Sequence, residues 1–331
     1  MSHWLGLGYG QSIEVFEATP EGPSGRVEVP ITEGPGDDRF SAVTTLDVDG
    51  DGLRDVVVRN TYGGAALIEE PITLTIIHGA AAPFDERERT RFVSEARVAG
   101  GGFVDALGDW DGDGNDDLVA SFDYDVLLSG SEITEPSATC DRGAALGDID
   151  GDGLTDSGCV GEDGTLLVVH GGGTDGRMRE LRLRESVESV AHVGDVNGDG
   201  LGDVLVRYVG GEQDVLSGGD LDGPPLRASD GGRGWTALGD VDGDGFDDLA
   251  ARYSDRIDLA RGGADGLRGG ERLVAAGDSP GSVRAAGDAN CDGFADVLIS
   301  GAGRVSLHLG GRAGVATTPS WTAESAPDGL V

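Results

Sequence analysis

The residues best suited to chemistry are aspartates that recur in a fixed nine-residue pattern. It reads Asp-x-[Asp/Asn]-x-Asp-Gly-x-x-Asp, and its six copies begin at Asp47, Asp109, Asp148, Asp195, Asp240 and Asp288. Ca²⁺ takes six to eight oxygen ligands at about 2.3–2.6 Å, and alternate residues of a tight loop bring their oxygens to one point. The glycine at the sixth position permits the positive φ that the turn needs. The pattern therefore predicts six calcium loops.

The candidate ligands are the first, third, fifth and ninth side chains of each copy and the main-chain carbonyl of the seventh residue. They are Asp47, Asp49, Asp51, Leu53 and Asp55; Asp109, Asp111, Asp113, Asn115 and Asp117; Asp148, Asp150, Asp152, Leu154 and Asp156; Asp195, Asn197, Asp199, Leu201 and Asp203; Asp240, Asp242, Asp244, Phe246 and Asp248; and Asp288, Asn290, Asp292, Phe294 and Asp296. Two copies depart from the pattern: Cys291 replaces the fourth-position glycine, and Ser157-Gly158 follows Asp156. We expect weaker binding at 148–156 and 288–296.

A helix-loop-helix EF-hand is the main alternative for such a loop, and it needs a bidentate Glu at the twelfth position. The twelfth residues here are Val58, Ala120, Cys159, Val206, Ala251 and Ile299. None of these side chains ligates calcium, so the EF-hand interpretation fails. Mg²⁺ is disfavoured because it seldom uses all-protein oxygen cages.

The segments around each loop have the composition of β-strands. Short apolar runs follow the loops, as at Val56–Val58 and Val297–Ile299, and another run precedes each loop, as at Thr236–Asp240. A third run ends in glycine, as at Leu166–Gly171. Bounded runs of this kind are typical of buried strands. Each repeat is therefore predicted to be a four-stranded antiparallel propeller blade whose first two strands are joined by the aspartate loop.

The whole chain, residues 1–331, is predicted to form a single all-β β-propeller domain. Its loops recur at an irregular period of about 45 residues, which suits a blade. Residues 1–39 contain three further strand-like segments without an aspartate loop, and 325–331 can add the missing inner strand. We expect seven blades, with a composite closing blade from both termini, because an open ring leaves sheet edges unpaired. A six-bladed ring is the alternative.

In these features the chain resembles the FG-GAP, or VCBS, repeats of integrin α-subunit-like propellers. Phe40-Ser41 and Gly102-Phe103 are similar to the Phe-Gly step of that family, and Ile299–Gly303 is similar to its Gly-Ala-Pro step. The resemblance covers nearly the whole chain, although the Phe-Gly step is degraded in most copies. It implies a propeller with Ca²⁺ on one face, usually in secreted or cell-surface proteins that bind proteins or glycans.

The charge of the chain excludes several classes of partner. There are 61 acidic and 24 basic residues, for a formal net charge of -37. Such a charge disfavours nucleic acids and anionic membrane surfaces, and no apolar run approaches the roughly 20 residues that span a bilayer. Met1–Gln11 does not have the form of a secretory signal. We nevertheless expect an extracellular or cell-surface location, because extracellular calcium modules bind at about 10⁻⁴–10⁻³ M.

The expected function is recognition or adhesion through the face opposite the calcium loops, with calcium in a structural role. Candidate contacts to a protein or glycan, which could include a carboxylate-bearing ligand, are Arg59, Tyr62, Tyr124, Arg207, Tyr208, Arg252 and Tyr253. Three of the arginines share one offset from the first aspartate, which a repeat also produces without any ligand. The alternative function is a structural propeller within a larger surface, toxin or polysaccharide-lyase-like assembly. The propeller is expected to be monomeric or part of a longer chain.

No catalytic residue is predicted, and we expect no enzyme activity; a glycan-cleaving activity is the alternative, because some polysaccharide lyases resemble this propeller architecture. His78, His170 and His308 end third strands near a glycine, which indicates one structural position repeated three times. The sequence contains neither a nucleophile elbow nor a His-Glu-x-x-His zinc motif. Of the three cysteines, Cys140 and Cys159 flank the inner strands of one repeat, and the sequence does not decide whether they form a disulfide. Cys291 is expected to be a free thiol.

Overall fold

The chain folds as an all-β β-propeller. The computed structural model describes residues 3–7, 12–17, 24–30, 38–62, 71–79, 89–97, 104–121, 125–129, 132–134, 142–161, 163–172, 178–226, 234–274, 281–301 and 303–324. Among these residues, no helix has the length and apolar composition needed to cross a membrane.

Five sheets have the complete four-stranded antiparallel form of a propeller blade, with strands adjacent in the order of the chain. The 38–97 blade contains β4 (Asp38–Leu46), β5 (Asp55–Tyr62), β6 (Pro71–Ile77) and β7 (Arg89–Arg97); the 104–134 blade contains β8 (Val104–Gly108), β9 (Asp117–Ser121), β10 (Asp125–Ser129) and β11 (Glu132–Thr134); the 142–181 blade contains β12 (Arg142–Gly147), β13 (Asp156–Val160), β14 (Leu166–Val169) and β15 (Met178–Leu181); the 235–274 blade contains β19 (Trp235–Gly239), β20 (Asp248–Arg252), β21 (Ile257–Arg261) and β22 (Arg268–Val274); the 282–324 blade contains β23 (Ser282–Gly287), β24 (Asp296–Gly301), β25 (Arg304–His308) and β26 (Trp321–Glu324).

Two further sheets have three described strands each. The 3–30 sheet contains β1 (His3–Leu7), β2 (Ser12–Glu17) and β3 (Ser24–Pro30), and the 187–216 sheet contains β16 (Val187–His192), β17 (Val204–Tyr208) and β18 (Gln213–Leu216). The three N-terminal strands predicted from the sequence are therefore present and paired. Residues 325–331, which we assigned to the closing blade, lie outside the described part of the chain.

The chain divides into two compact units. One contains Gly8–Ile13 and Glu28–Val190, and the other contains Met1–Leu7, Glu14–Val27 and Ala191–Val331. In the first, Leu46, Val57 and Ile76 pack with Leu118 of the following blade. In the second, Leu238 and Val241 pack with Ile257, Val283 and Val297. Full burial of each such side chain stabilises the fold by about 1.5–3 kcal/mol.

A bulge at the end of the first strand turns the chain into the aspartate loop. In four blades the strand register shifts just before the last residue of that strand, which is a glycine. These glycines are Gly108, Gly147, Gly239 and Gly287, with φ between 60° and 84°. A glycine of positive φ in a bulge is favoured because it has no Cβ. The Gly-Asp step of the repeat is thus the element that positions the first aspartate, and the loops join first to second strands as predicted.

Candidate metal sites

The first aspartate of each loop closes the turn by accepting main-chain hydrogen bonds. Asp47 Oδ1 accepts the N–H of Asp51 at 3.1 Å, and its Oδ2 accepts the N–H of Gly52 at 2.8 Å. The first aspartates of the other five loops make equivalent bonds to the main chain three to five residues further on. All six loops therefore share one closed conformation.

The third and fifth residues of each loop form turns onto their own main chain. In the first loop, Asp49 Oδ1 accepts the N–H of Asp51 at 3.3 Å, and Asp51 Oδ1 accepts the N–H of Leu53 at 2.7 Å. The N–H of the seventh residue makes the same bond in every loop. The seventh main-chain carbonyls, which we assigned as ligands, remain a prediction.

The carboxylates of a loop converge closely enough to hold one cation. One oxygen from each of Asp47, Asp49 and Asp51 lies within 4.8 Å of the others. The same holds for two further groups: Asp148, Asp150 and Asp152, and Asp109, Asp111 and Asp117. Oxygens that ligate one Ca²⁺ at about 2.4 Å lie at most about 4.8 Å apart. The residues present therefore fit a hard divalent cation.

The ninth aspartate is a buried main-chain acceptor, a role that the loop pattern alone did not predict. Asp55 is 0% exposed; its Oδ2 accepts the N–H of Val48 at 2.9 Å and its Oδ1 accepts that of Gly79 at 2.6 Å. Four of the other ninth aspartates make both of these contacts. Asp117 makes the first, with Trp110. Five of the six ninth carboxylates thus tie their loop to the end of the third strand.

Coordination by the ninth carboxylate is compatible with these bonds, because each carboxylate oxygen has two acceptor sites. Asp55, Asp117 and Asp156 also belong to close groups with residues of their own loops. A signal for the main-chain role is present in the sequence: a glycine follows the ninth aspartate by 14 or 15 residues in four repeats.

Burial changes the acidity of the ninth carboxyl groups. It raises the pKa of Asp203 and of Asp296 to about 6 and that of Asp248 to about 7. The two main-chain hydrogen bonds oppose this increase, and neighbouring loop aspartates add to it. The pKa values of Asp55 and Asp156 are raised by burial as well. A bound divalent cation would favour the ionised carboxylate and so would lower the pKa that burial raises.

Neighbouring loops are joined through their eighth residues. The N–H of Asp116 donates to the carbonyl of Asp47 at 2.7 Å, and Thr155, Asp247 and Ala295 make the same bond to the first aspartate of the preceding loop. Asp116 Oδ2 in turn accepts the N–H of Asp47 at 2.9 Å, and Asp247 does so for Asp195 at 2.8 Å. The eighth position, to which the sequence assigned no role, is therefore a contact between loops.

The residue just before the third-strand glycine contacts the loop. His78 Nδ1 lies 3.2 Å from Asp49 Oδ2, and His170 Nδ1 lies 3.2 Å from Asp150 Oδ2. In the 187–216 sheet the equivalent Ser217 accepts a bond from the Asn197 amide and donates one to Asp199.

The expectation that the three histidines occupy one repeated position is wrong for His308. This residue stands two positions before its glycine rather than one. Its Nε2 lies 3.0 Å from Ser306 Oγ, and its Nδ1 donates to the Ala316 carbonyl at 2.8 Å. His308 is therefore a hydrogen-bonded core residue, whereas His78 and His170 belong to the loops.

The fifth loop differs from the others because it carries its own cation. The Arg261 guanidinium forms an ion pair with the Asp242 carboxylate through Nη1, and its Nη2 lies 2.8 Å from Glu271 Oε2. An arginine is charged at any ordinary pH and ligates no metal. It would therefore compete with any bound cation for Asp242, although the sequence did not mark 240–248 as a weak site.

The two loops that depart from the pattern keep the common geometry. Cys291 has φ 59°, in the left-handed region that glycines occupy in the other loops, and Asp288 still accepts the N–H groups of Asp292 and Gly293. In the third repeat, a Cβ at Gly158 would meet Leu146 Cδ1 at 2.9 Å, so a larger residue there would displace the Leu146 side chain. The weaker binding expected at both loops remains a prediction.

The proposed ligand face is corrected at one residue. Tyr208 is 1% exposed and its hydroxyl donates to Asp214 Oδ2 at 3.3 Å, so its ring cannot stack on a ligand. Arg252 is exposed and donates to the Gly281 carbonyl at 2.7 Å. The Tyr253 ring packs against the Arg256 guanidinium at 3.9 Å.

The other residues expected on that face are only partly described. Arg207 is half-buried at the end of β17. Arg59 and Tyr62 lie in β5, and their side chains are outside the described part, as is the whole of Tyr124. Cys291 is a free, exposed thiol as expected. Cys140 lies outside the described residues, and with it the disulfide considered between Cys140 and Cys159.

Comparison with known proteins gives a match in three-dimensional structure. No protein-family model matches the chain, and no curated protein matches it. The crystal structure of BBS1N in complex with ARL6DN aligns with a TM-score of 0.55, 11% identity, and coverage of 90% of this chain and 83% of that chain. The likeness is one of fold alone. Two rhamnogalacturonan lyases also align, YesW with a TM-score of 0.48 at 14% identity and PL11 of Bacillus licheniformis with 0.49 at 13%, each covering 98% of this chain and 67% of the lyase.

Proposed function

We propose that this protein is a calcium-stabilised propeller of the FG-GAP, integrin-like type and that it acts in recognition or adhesion, without catalysis. The observation that carries the proposal is the repetition of one loop geometry. Six aspartate loops stand at the same turn between first and second strands, each closed by its first aspartate in the same way. Local chance does not account for six equivalent loops.

Calcium is the cation that this donor set favours. The first three loops each contain a convergent group made of carboxylates alone, such as Asp47, Asp49 and Asp51, and carboxylates suit hard cations. Ca²⁺ accepts irregular all-protein cages, whereas Mg²⁺ demands near-ideal octahedral geometry and retains waters. The ion would neutralise three or four carboxylates in each loop and stabilise the folded state by mass action. Such a role suits an extracellular or cell-surface setting, where calcium is abundant.

We further propose seven blades. The seven sheets comprise five with four strands and two with three among the described residues. A fourth strand for the 3–30 sheet would come from 325–331, and the ring would close through both termini. A six-bladed ring with an N-terminal appendage is the alternative. Cryo-electron microscopy or crystallography of the purified chain would count the blades directly.

For the partner we propose a protein or glycan that binds away from the calcium loops. Arg207 and Arg252 lie at the far ends of second strands, and Arg252 is exposed. Exposed guanidinium groups pair with carboxylates in two-point contacts. A strongly acidic chain is a poor partner for nucleic acid or anionic membrane, and we propose neither.

The test has two parts. Chelator-stripped protein titrated with Ca²⁺ should bind several equivalents, and its melting temperature should rise by many degrees; a melting curve unchanged by calcium would refute the calcium role. A glycan array and a protein pull-down, each with and without calcium, then test recognition. Binding that Arg252→Ala weakens and Arg268→Ala leaves intact supports the proposal, because Arg268 is an exposed arginine at the aspartate-loop end of the same blade. A blank result from a folded, calcium-loaded protein favours the structural alternative, a propeller within a larger assembly.

A further inference from the structure

Two of the loops have a histidine nitrogen among their carboxylates. His78 Nδ1 lies 3.2 Å from Asp49 Oδ2 and 3.7 Å from Asp55 Oδ1. One ligand atom from each of these three residues lies within 4.8 Å of the other two. The loop of the 38–97 blade therefore contains a cluster of one nitrogen and two oxygen donor atoms.

The 142–181 blade builds the same triad independently. His170 Nδ1 lies 3.2 Å from both Asp150 Oδ2 and Asp156 Oδ1, and the three ligand atoms again lie within 4.8 Å of one another. Both triads combine the third loop residue, the ninth loop residue and the last residue before the third-strand glycine. Two blades thus repeat one arrangement in register.

Both triads are held in place by the fold. The ninth aspartates are 0% exposed and bonded to two main-chain N–H groups, and the histidines directly follow β6 and β14, with side chains only 21% and 16% exposed. Rigid partners on separate strands preserve the distances between ligand atoms. The exposure that remains gives an ion access from solvent.

The donor set differs in chemistry from that of an all-oxygen loop. Carboxylates and carbonyls suit Ca²⁺, Mg²⁺ and Mn²⁺, whereas imidazole suits Zn²⁺, Ni²⁺, Cu²⁺ and iron. In open sites such as those of zinc enzymes, Zn²⁺ binds three protein ligands and keeps a fourth position for water or another ligand. We propose that His78, Asp49 and Asp55, and equally His170, Asp150 and Asp156, bind a divalent transition-metal ion of the Zn²⁺ type. The inference rests on the proposed function in one respect: the proposed calcium ion and the transition-metal ion would compete for the same aspartates in each loop.

Equivalent positions in other repeats provide an internal contrast. Ser217 and Arg261 contact their loops from the same place as the two histidines, and neither is a customary ligand for zinc. His308 supplies a matched control, because its ring bonds to Ser306 and the Ala316 carbonyl rather than to a loop.

The experiment uses the full chain, stripped of metal and titrated calorimetrically with Zn²⁺ in calcium-free buffer. The wild type should bind two equivalents more tightly than any others. His78→Gln and His170→Gln should each lose one, with at least a tenfold weaker affinity at the altered site; the double variant should lose both, and His308→Gln neither. Co²⁺ absorption should change in parallel, because it reports the loss of a nitrogen ligand. Should one single variant fail to fold, the other tests its own loop.

An isotherm unaltered in the double variant, or reduced equally by His308→Gln, would overturn the inference. A calcium titration of the same proteins separates the two proposals. A wild type that ignores calcium but binds two zinc ions through these histidines refutes the calcium function and upholds the transition-metal sites. A protein that responds to calcium but whose zinc binding is insensitive to both substitutions does the reverse.

Discussion

Replacing Asp248 by asparagine separates the two roles that a ninth aspartate can have. Its carboxylate is 1% exposed and accepts the N–H of Val241 at 3.1 Å and that of Gly262 at 3.0 Å. Asparagine has nearly the same shape but only one acceptor oxygen, so its amide NH₂ must face one of these N–H groups. If the main-chain contacts are what matters, the variant is destabilised even without metal.

The magnitude follows from the number of bonds lost. One buried main-chain N–H without an acceptor costs about 1–3 kcal/mol. An unfolding entropy of about 2.1 cal/mol/K per residue amounts to about 0.7 kcal/mol/K for 331 residues, so a loss of 1 kcal/mol lowers the melting temperature by about 1.5 °C. A central loss of about 2 kcal/mol therefore predicts a decrease of about 3 °C in excess chelator at about pH 4, where the Asp248 carboxyl, whose pKa burial raises to about 7, is protonated and the substitution removes no charge.

The assay is thermal unfolding, followed by circular dichroism, in chelator and in saturating calcium. The matched control is Asp244→Asn, because Asp244 is exposed and its Oδ1 accepts only the Phe246 N–H, at 3.1 Å, which an amide oxygen can also accept. The control should melt within about 0.5 kcal/mol of wild type in chelator and lose part of its calcium response. Wild-type melting of Asp248→Asn in chelator, with only the calcium response reduced, would refute the main-chain role.

Three other measurements bear on the same loops. Arg261→Gln frees Asp242 from its ion pair, so it should raise the calcium affinity of the fifth loop; an unchanged calcium isotherm would contradict that competition. In chelator, the free energy of unfolding should fall as pH rises from about 4 to 7, because burial raises the pKa of Asp203 to about 6 and that of Asp248 to about 7 from an ordinary 3.8. The stability gained from the protonated carboxyls is fully present below pH 3.8 and is lost as pH rises through the raised pKa values. Added calcium should restore the lost stability, and melting temperatures from about pH 4 to 7 test the sign. Cys291→Gly should stabilise the chain by about 1 kcal/mol, since φ 59° suits glycine, and denaturant unfolding that shows a loss instead would disprove strain there.

Local patterns were enough to predict the strands and the loops. Runs such as Val56–Val58 are buried in second strands, and the Gly-Asp step stands at the bulge that leads into the loop. The apolar run and the Gly-Asp step each span only a few residues, and their repetition along the chain made them recognisable.

Contacts between distant residues were beyond the pattern. The bond from Gly79 to Asp55 spans 24 residues, and that from Asp47 to Asp116 spans 69. Tyr208 is a second example of a contact that the sequence pattern does not predict. It lies at the end of a strand, yet its ring is buried and its hydroxyl donates to Asp214. Which way a strand-end side chain turns depends on neighbours that the sequence does not place.

In four of the six loops, a residue outside the loop changes the donor atoms around the third loop residue. The six loops share their turn geometry, so the turn cannot distinguish one site from another. The residue before the third-strand glycine does distinguish them: it brings an imidazole at His78 and His170, a hydroxyl at Ser217 and a permanent cation at Arg261. Each choice alters the charge and the donor atoms around the third loop residue without disturbing the main-chain bonds that close the turn. A repeat can therefore keep one fold while the donor atoms around its loops diverge, and substitutions at this one position should change the ion selectivity of the proposed metal sites more than stability.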